Sequence, residues 1–128
     1  MPASFDYAVL RLAPRVEREE FLNVGVVVFC RERRMLEART HLDEARLLAL
    51  WPGLDLEAVR EHLRAVERVA AGDPAAGPIA RLPQHERFHW LVAPRSTILQ
   101  TSPVRTGIWR EEEDLAGRLL EQLVLIGS

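Results

Sequence analysis

The sequence predicts a single α+β domain over residues 1–128, with a mostly antiparallel sheet and helices packed against it. Two observations favour this fold class. Strand-like segments come first, helical segments follow, and strand-like segments return before a last helix. The connection between the first two strands is also too short for the crossover that parallel pairing needs. The length fits one hydrophobic core.

The first part of the chain is expected to form three antiparallel strands. Apolar side chains occupy both faces from Phe5 to Ala13, and Pro14 ends this strand. Residues 22–30 are apolar on both faces, which predicts a central strand covered on both sides. A polar turn over 31–34 then leads into a third strand over 35–40.

Two helices are expected next. The segment from Thr40 to Asp43 resembles a capping box and predicts a short helix that ends near Trp51. Asp55 is expected to cap a longer helix that ends at Gly72. The apolar positions of this helix follow a three-four spacing, which indicates one buried stripe: Leu56, Val59, Leu63, Val66 and Ala70.

The last third of the chain is expected to alternate between loop, strand and helix. Proline and glycine predict a loop over 73–83, and the apolar run from Phe88 to Val92 predicts a strand. A short extended piece over 98–101 comes next. The chain should end in a helix over about 111–126, whose acidic first turn suits the positive end of the helix dipole.

The composition excludes several functions. The net charge of −2 gives no global attraction to nucleic acid or anionic membranes. All 17 basic residues are arginine, so no lysine can form a Schiff base or bind phosphate in a Walker motif. Cys30 is the only cysteine, which excludes an intrachain disulfide and a cysteine metal cluster. The sequence has no signal peptide and no apolar run near 18 residues, so we expect a cytoplasmic protein with no membrane span. We also expect no cofactor.

A first polar cluster precedes the second strand and contains Arg15, Arg18, Glu20 and Asn23. One interpretation is a solvated loop whose surface ion pairs contribute little to stability, with Gly25 present to avoid a steric clash. The other is a binding site in which Glu20 and Asn23 contact a ligand or partner and an arginine binds an anion. The sequence leaves both interpretations open.

A second polar cluster, over residues 95–106, contains hydroxyl, amide and guanidinium groups around the short extended piece at 98–101. Such groups in an irregular segment can bind phosphate or carboxylate, although Ser and Thr also satisfy local turns. The candidate binding residues of this cluster are Arg95, Ser96, Gln100, Arg105 and Thr106. We predict that the two clusters lie close together in the fold.

The residues His85-Glu86-Arg87-Phe88-His89 match the zinc-protease pattern His-Glu-x-x-His. That chemistry needs both histidines on one helical face, about one turn apart. In the predicted strand, residues four apart lie about 13 Å from each other, which is too far for one zinc ion. We therefore predict no metal site here, and a zinc hydrolase is a remote alternative.

Over nearly its whole length the chain resembles a bacterial family called domain of unknown function 3037, and the resemblance rests on three segments. They are Phe5-x-Tyr7-x-x-Leu10-Arg11-x-x-Pro14, Arg18-x-Glu20-x-x-Asn23-Val24-Gly25-Val26, and Arg87-Phe88-x-Trp90-Leu91-x-Ala93-Pro94-Arg95-Ser96-Thr97-x-x-Gln100-x-Ser102-Pro103-Val104-x-Thr106-Gly107. The family pattern has histidine where this chain has Arg105. That difference weakens a general-base role at this position and leaves anion binding open.

The resemblance implies a partner rather than a reaction, since genes of this family often lie beside genes for kinase-like proteins of the HipA type. The leading hypothesis is therefore a non-enzymatic binding or regulatory partner of a HipA-like kinase. The alternative is a small enzyme or ligand-binding domain for a phosphorylated or carboxylated substrate, using Arg, Glu and Asn side chains.

Overall fold

The computed structural model describes residues 2–94, 97–110 and 113–125. Within this part, five strands form one antiparallel sheet and four α-helices pack against it. In chain order the elements are β1 (Ala3–Leu12), β2 (Leu22–Cys30), β3 (Met35–Thr40), α1 (Glu44–Leu50), α2 (Leu56–Ala71), α3 (Gln84–Val92), β4 (Leu99–Thr101), β5 (Arg105–Trp109) and α4 (Leu115–Leu123). The α+β fold class predicted from the sequence is confirmed.

The sheet has the order β3-β2-β1, and β4 and β5 lie one after the other along the outer edge of β1. Leu12 pairs with Leu99 of β4, and Ala3 pairs with Trp109 of β5. The buried Ser102 connects these two short strands. Its N–H donates to the Val9 carbonyl (2.9 Å), and its hydroxyl accepts from the Val9 N–H (2.8 Å). A side chain thus continues the hydrogen-bond ladder where the edge strand is interrupted.

Each face of the sheet carries its own hydrophobic core. On the first face, side chains of β1, β2 and β3 pack with α1, α2 and α3; we call it the three-helix face. On the second face, alternate residues of the same strands pack with α4; we call it the α4 face. Because β2 is covered on both sides, its seven residues from Val24 to Cys30 are all buried. The strand with the least polar sequence is therefore central, as its pattern predicts.

Several predicted elements match the structure closely. The predicted bounds of β2 and β3 coincide with the observed ones. The first strand begins two residues earlier than expected and ends one residue earlier. Asp55 accepts from the Ala58 N–H (3.1 Å) at the start of α2, and Gly72 ends it at φ 76°. The 73–83 loop contains two short 3-10 turns, Pro74–Ala76 and Pro78–Arg81.

The helix predicted after β3 begins later than the capping-box pattern suggests. Thr40 ends β3, and its hydroxyl bonds Glu67 (3.1 Å) on α2. Asp43 caps α1 instead, accepting from the Arg46 N–H (3.1 Å). The short Asp side chain suits the N-cap position as well as Thr does, so the pattern alone gives the wrong position by three residues.

The strand predicted from Phe88 to Val92 is wrong, because these residues belong to helix α3. Phe88 and Leu91 are three residues apart and both enter the core of the three-helix face. The Phe88 ring stacks on Phe29 of β2, with 5.3 Å between ring centroids. Pro83 precedes the helix, where a missing N–H and a fixed φ are tolerated. A short apolar run fits a strand or a buried helix equally well, and tertiary packing decides between them.

The last strand and the last helix also differ from expectation. The sequence pattern does not predict β5, which pairs with β1 from Ala3 to Tyr7. The last helix begins at Leu115 after the N-cap Asp114. Residues 111, 112 and 126 of the predicted helix lie outside the described part of the chain. No described helix has the length and apolar character needed to cross a membrane.

An ion pair between β3 and the start of α4 should make stability depend on pH. Arg39 bonds Asp114 (2.8 Å), and this contact, helped by the Gly117 N–H, lowers the pKa of the Asp114 carboxyl. The stabilising contribution is therefore complete above the ordinary carboxyl pKa of about 4 and is lost as the pH falls through the lowered value. Asp114→Asn keeps an N-cap side chain but removes the charge. We expect its urea unfolding midpoint to change less than that of wild type between neutral and acidic pH.

The control for this prediction is Glu32→Gln, which changes an exposed carboxylate that forms no ion pair with any described residue. It should leave the pH profile of the midpoint unchanged. A profile that is equally steep in wild type and Asp114→Asn would show that this ion pair does not contribute.

Candidate binding surface

Three polar side chains form a row across adjacent strands on the α4 face. Arg11 of β1 pairs with Asn23 of β2 on one side and with Gln100 of β4 on the other. Directly opposed residues of antiparallel strands point to the same face. An irregularity in the β1–β2 register between Leu10 and Arg11 lies next to this row. Irregularities of this kind re-aim side chains and often lie near functional sites.

Arg11 connects the row to the loop between β1 and β2. Its guanidinium carbon lies 4.3 Å from the centroid of the Phe21 ring, in cation–π geometry. The Asn23 amide donates to the Leu123 carbonyl (3.0 Å) at the end of α4. The Arg11 Nε and the Asn23 Oδ1 are both buried and have no hydrogen-bond partner. A buried donor and a buried acceptor on neighbouring strands are both left unsatisfied here, which is costly.

The charged residues of the β1–β2 loop pair with each other. Arg15 bonds Glu17 (2.8 Å), and Arg18 bonds Glu20; all four side chains are at least 49% exposed. The hydrogen bond from Arg15 lowers the pKa of Glu17, and the hydrogen bond that Arg18 donates to Glu20 raises the pKa of Arg18. Each arginine thus already has an anion beside it, which favours the interpretation of this segment as a solvated loop with surface ion pairs.

The second polar cluster divides between the two faces. Gln100 joins the row and donates to the Thr97 carbonyl (3.1 Å). Arg105 pairs with Tyr7, four residues along β1 from Arg11 and therefore about 13 Å away on the α4 face. Thr106 lies on the opposite face, where it bonds Asp6 (3.0 Å). Arg95 and Ser96 lie outside the described residues.

The structure therefore brings some predicted site residues together and separates others. Asn23 and Gln100 flank Arg11, and the β1–β2 loop lies at the same end of β1. The sequence analysis did not select Arg11 or Phe21 as site residues. An arginine directly after the apolar run from Tyr7 to Leu10 was the signal available for Arg11. Its place opposite Asn23 depends on strand register, which the sequence did not reveal.

The structure corrects the argument about the two histidines. His85 and His89 lie on α3, one helical turn apart and exposed, so the expected separation of a strand does not apply. Arg87, within the same pattern, points inward instead and is 8% exposed. Among the described residues, no group of three or more His, Cys, Asp or Glu is placed to hold a metal ion.

Purified protein is expected to contain no stoichiometric zinc, because protein zinc sites use three or four protein ligands and this helix offers two histidines. Elemental analysis of protein prepared without an affinity tag measures this directly. One zinc per chain, lost in His89→Ala, would contradict the expectation and favour the zinc-hydrolase alternative.

Two clefts on the described surface are relevant to the choice of site. An apolar cleft of about 590 Å³ lies between α2, α3 and residues 97–99, with Trp90 and His62 among its lining, and none of the predicted site residues lines it. A smaller cleft of about 400 Å³ lies beside the row, and Phe21, Asn23, Arg46 and Gln122 are part of its lining. We assign the smaller cleft to the candidate surface because Asn23 of the polar row lines it.

Fold and surface together define a small α+β protein with an open antiparallel sheet and a mixed aromatic and charged surface at one end. The chain belongs to the family described as "Protein of unknown function (DUF3037)", whose model matches residues 7–124 of 128. The resemblance inferred from the three sequence segments is confirmed. Neither the curated proteins nor the solved structures include a match to this chain.

Proposed function

We propose that this protein is a non-enzymatic binding module that regulates a HipA-like kinase. Its contact surface consists of Arg11 and the β1–β2 loop from Arg15 to Phe21, which we call the β1–β2 surface. One observation carries the proposal: an exposed aromatic ring stacks on an arginine inside a rim of paired charges. Aromatic and arginine side chains within a polar rim are typical of binding hot spots.

The loop exposes apolar groups beside its charges. Phe21 is 45% exposed and Val16 is 39% exposed. A partner that covers these side chains would bury apolar surface. A 3-10 turn over Val16–Arg18 and the left-handed backbone of Glu19 (φ 56°) give the loop a defined shape. A preshaped loop loses less conformational entropy on binding than a flexible one. Its geometry therefore suits recognition of a protein surface.

The hydrogen bonds of the described residues do not resemble catalytic machinery. No hydroxyl or thiol bonds a histidine within residues 2–94, 97–110 and 113–125, so none of these groups has an imidazole base beside it. The carboxylates of the loop bond neighbouring arginines and do not face a cleft together. The kinase-like partner itself is suggested by the gene neighbourhood of the family.

Calorimetric titration with the HipA-like protein encoded beside this gene tests the proposal. We expect wild type to bind, and Arg18→Ala combined with Phe21→Ala to weaken binding by at least about 30-fold, since hot-spot truncation costs about 2 kcal/mol or more. Asn23 is left unchanged because its amide also holds α4. The matched control is Leu50→Ala with Arg64→Ala, an exposed apolar residue and an exposed arginine elsewhere on the molecule.

Equal affinity of wild type and the Arg18, Phe21 double variant would contradict the β1–β2 surface as the contact site. Wild type that does not bind the kinase-like protein at all would contradict the proposed partner. The control variant should bind like wild type, which separates a local effect from a general loss of charge and apolar surface.

The second candidate function is binding of a phosphorylated or carboxylated small molecule, and the cleft beside Asn23 favours it. Arg46 is exposed at this cleft, and its guanidinium forms no ion pair with any described residue. A free guanidinium can bind an anion bidentately. Titration of wild type and Arg46→Met with inorganic phosphate tests this function, and identical weak signals from both proteins would contradict it.

A further inference from the structure

The outer edge of β5 is unpaired within the described part of the chain. β5 pairs with β1 on one side, and no further strand joins it on the other. α2, α3 and α4 contact β2 and β3, and no described helix covers β5 to a comparable extent. No described strand therefore pairs with the backbone groups on the outer side of β5, although Trp109 packs on the α4 face. Such an edge is a template for pairing with another strand.

The edge also carries the most exposed large apolar side chains in its neighbourhood. Ile108 is 58% exposed and Val104 is 44% exposed. β5 contains no proline and no bulge, two devices that commonly protect an edge from pairing. Pro103 lies before the strand, so it limits the pairing at one end without interrupting it.

We propose that the β5 edge binds the β5 edge of a second copy of this chain, forming a two-fold symmetric dimer with one continuous sheet. Antiparallel pairing of all five residues places Gly107 opposite Gly107 on the symmetry axis. Arg105 then lies opposite Trp109 of the second copy, and Thr106 lies opposite Ile108 of the second copy. Isologous contacts of this kind close after two subunits.

This pairing is self-complementary in charge and shape. Within the strand, no arginine lies opposite another arginine, because each Arg105 lies opposite Trp109 of the second copy. The glycine at the axis is covered by the Phe5 ring of its own chain, since a Cβ there would lie 2.6 Å from Phe5 Cζ. Ile108 of each copy becomes covered by the other on the three-helix face, and Arg105 lies on the α4 face. The α4 face of one copy therefore continues into the α4 face of the other, and the two three-helix faces join in the same way.

A strand of five residues buries a small area, so the dimer is expected to be weak and reversible. The β1–β2 surface lies at the other end of β1, so the dimer does not depend on the proposed function and leaves that surface open.

Sedimentation velocity of the full chain over a range of micromolar concentrations tests the dimer. Wild type should change from monomer to dimer as concentration rises. Ile108→Glu should weaken association by at least about tenfold, because the symmetric contact buries two unpaired carboxylates. The control Leu50→Glu changes a residue on α1 that is 52% exposed, and it should dimerise like wild type. Circular dichroism checks that both variants fold.

A second measurement tests the register. Thr106→Cys combined with Ile108→Cys should form a covalent dimer under mild oxidation, since opposed residues of antiparallel strands have the Cα separation that a disulfide needs. Wild type that stays monomeric at every concentration would overturn the proposal, as would an unchanged dimer in Ile108→Glu. Monomeric wild type whose binding to the kinase-like protein is lost in Ile108→Glu would assign the edge to that partner instead.

Discussion

Replacing Arg87 with methionine is expected to lower the free energy of unfolding by about 3 kcal/mol, because it leaves buried acceptors without a charged donor. The Arg87 Nε donates to the Leu82 carbonyl (2.9 Å), and its Nη1 donates to the Val69 (3.1 Å) and Ala70 (2.8 Å) carbonyls. The last two belong to the final turn of α2, where the dipole favours a cation, and the Val69 carbonyl also accepts from the Gly72 N–H (3.1 Å). One side chain thus completes the end of a neighbouring helix.

Urea unfolding of Arg87→Met beside Arg81→Met measures this effect. Arg81 is exposed, and no described residue accepts a hydrogen bond from its side chain, so its loss should change stability by less than about 0.5 kcal/mol. Arg87→Lys keeps the charge without the fork of donors, and should recover only part of the loss. A destabilisation below about 1 kcal/mol in Arg87→Met would show that water replaces the guanidinium at these carbonyls.

Gly25→Ala is expected to lower the free energy of unfolding by about 2 kcal/mol, the range found when a methyl group is forced into a packed site. A Cβ at Gly25 would lie 2.8 Å from the Arg39 carbonyl oxygen and 3.0 Å from side-chain atoms of Leu10 and Thr40. The backbone of β3 cannot move aside without disturbing its pairing with β2. This geometry supports the interpretation that Gly25 avoids a steric clash.

Gly53→Ala is the matched control, because a Cβ there would meet nothing within 4 Å. It should be neutral or slightly stabilising, since alanine restricts the unfolded chain. Hydrogen exchange should also report faster opening of β3 in Gly25→Ala and no change in Gly53→Ala. Equal stabilities of the two variants would contradict the steric role of Gly25.

The fold could be predicted where local patterns coincide with tertiary packing. β2 is apolar on both faces because it is central, and α2 has a capping residue at each end as well as an amphipathic stripe. The prediction fails at α3, where the same apolar run suits a strand and where Arg87 points inward to another helix. β5 could not be recognised because its strand partner lies about a hundred residues earlier in the chain and its sequence shows no alternation of apolar and polar residues.

The candidate site was predictable in part. Asn23 and the charged loop are visible in the sequence because polar residues interrupt an apolar pattern. The contribution of Arg11 depends on which residues of β1, β2 and β4 face each other, and Leu10 and Arg11 lie at a register shift. The pairing of Arg15 and Arg18 with their own neighbours depends on the shape of a turn, which composition does not specify.

The interrupted edge strand also determines the order in which the protein can fold. β1, β2 and β3 pair with near neighbours in the chain, whereas the Ser102 contact with Val9 spans 93 residues. Closing so long a loop is slow, so local pairing should precede it. During synthesis on the ribosome, the outer side of β1 therefore remains unpaired until β4 and β5 have been made. A nascent chain at that stage exposes an open strand edge, which is a template for pairing with other chains.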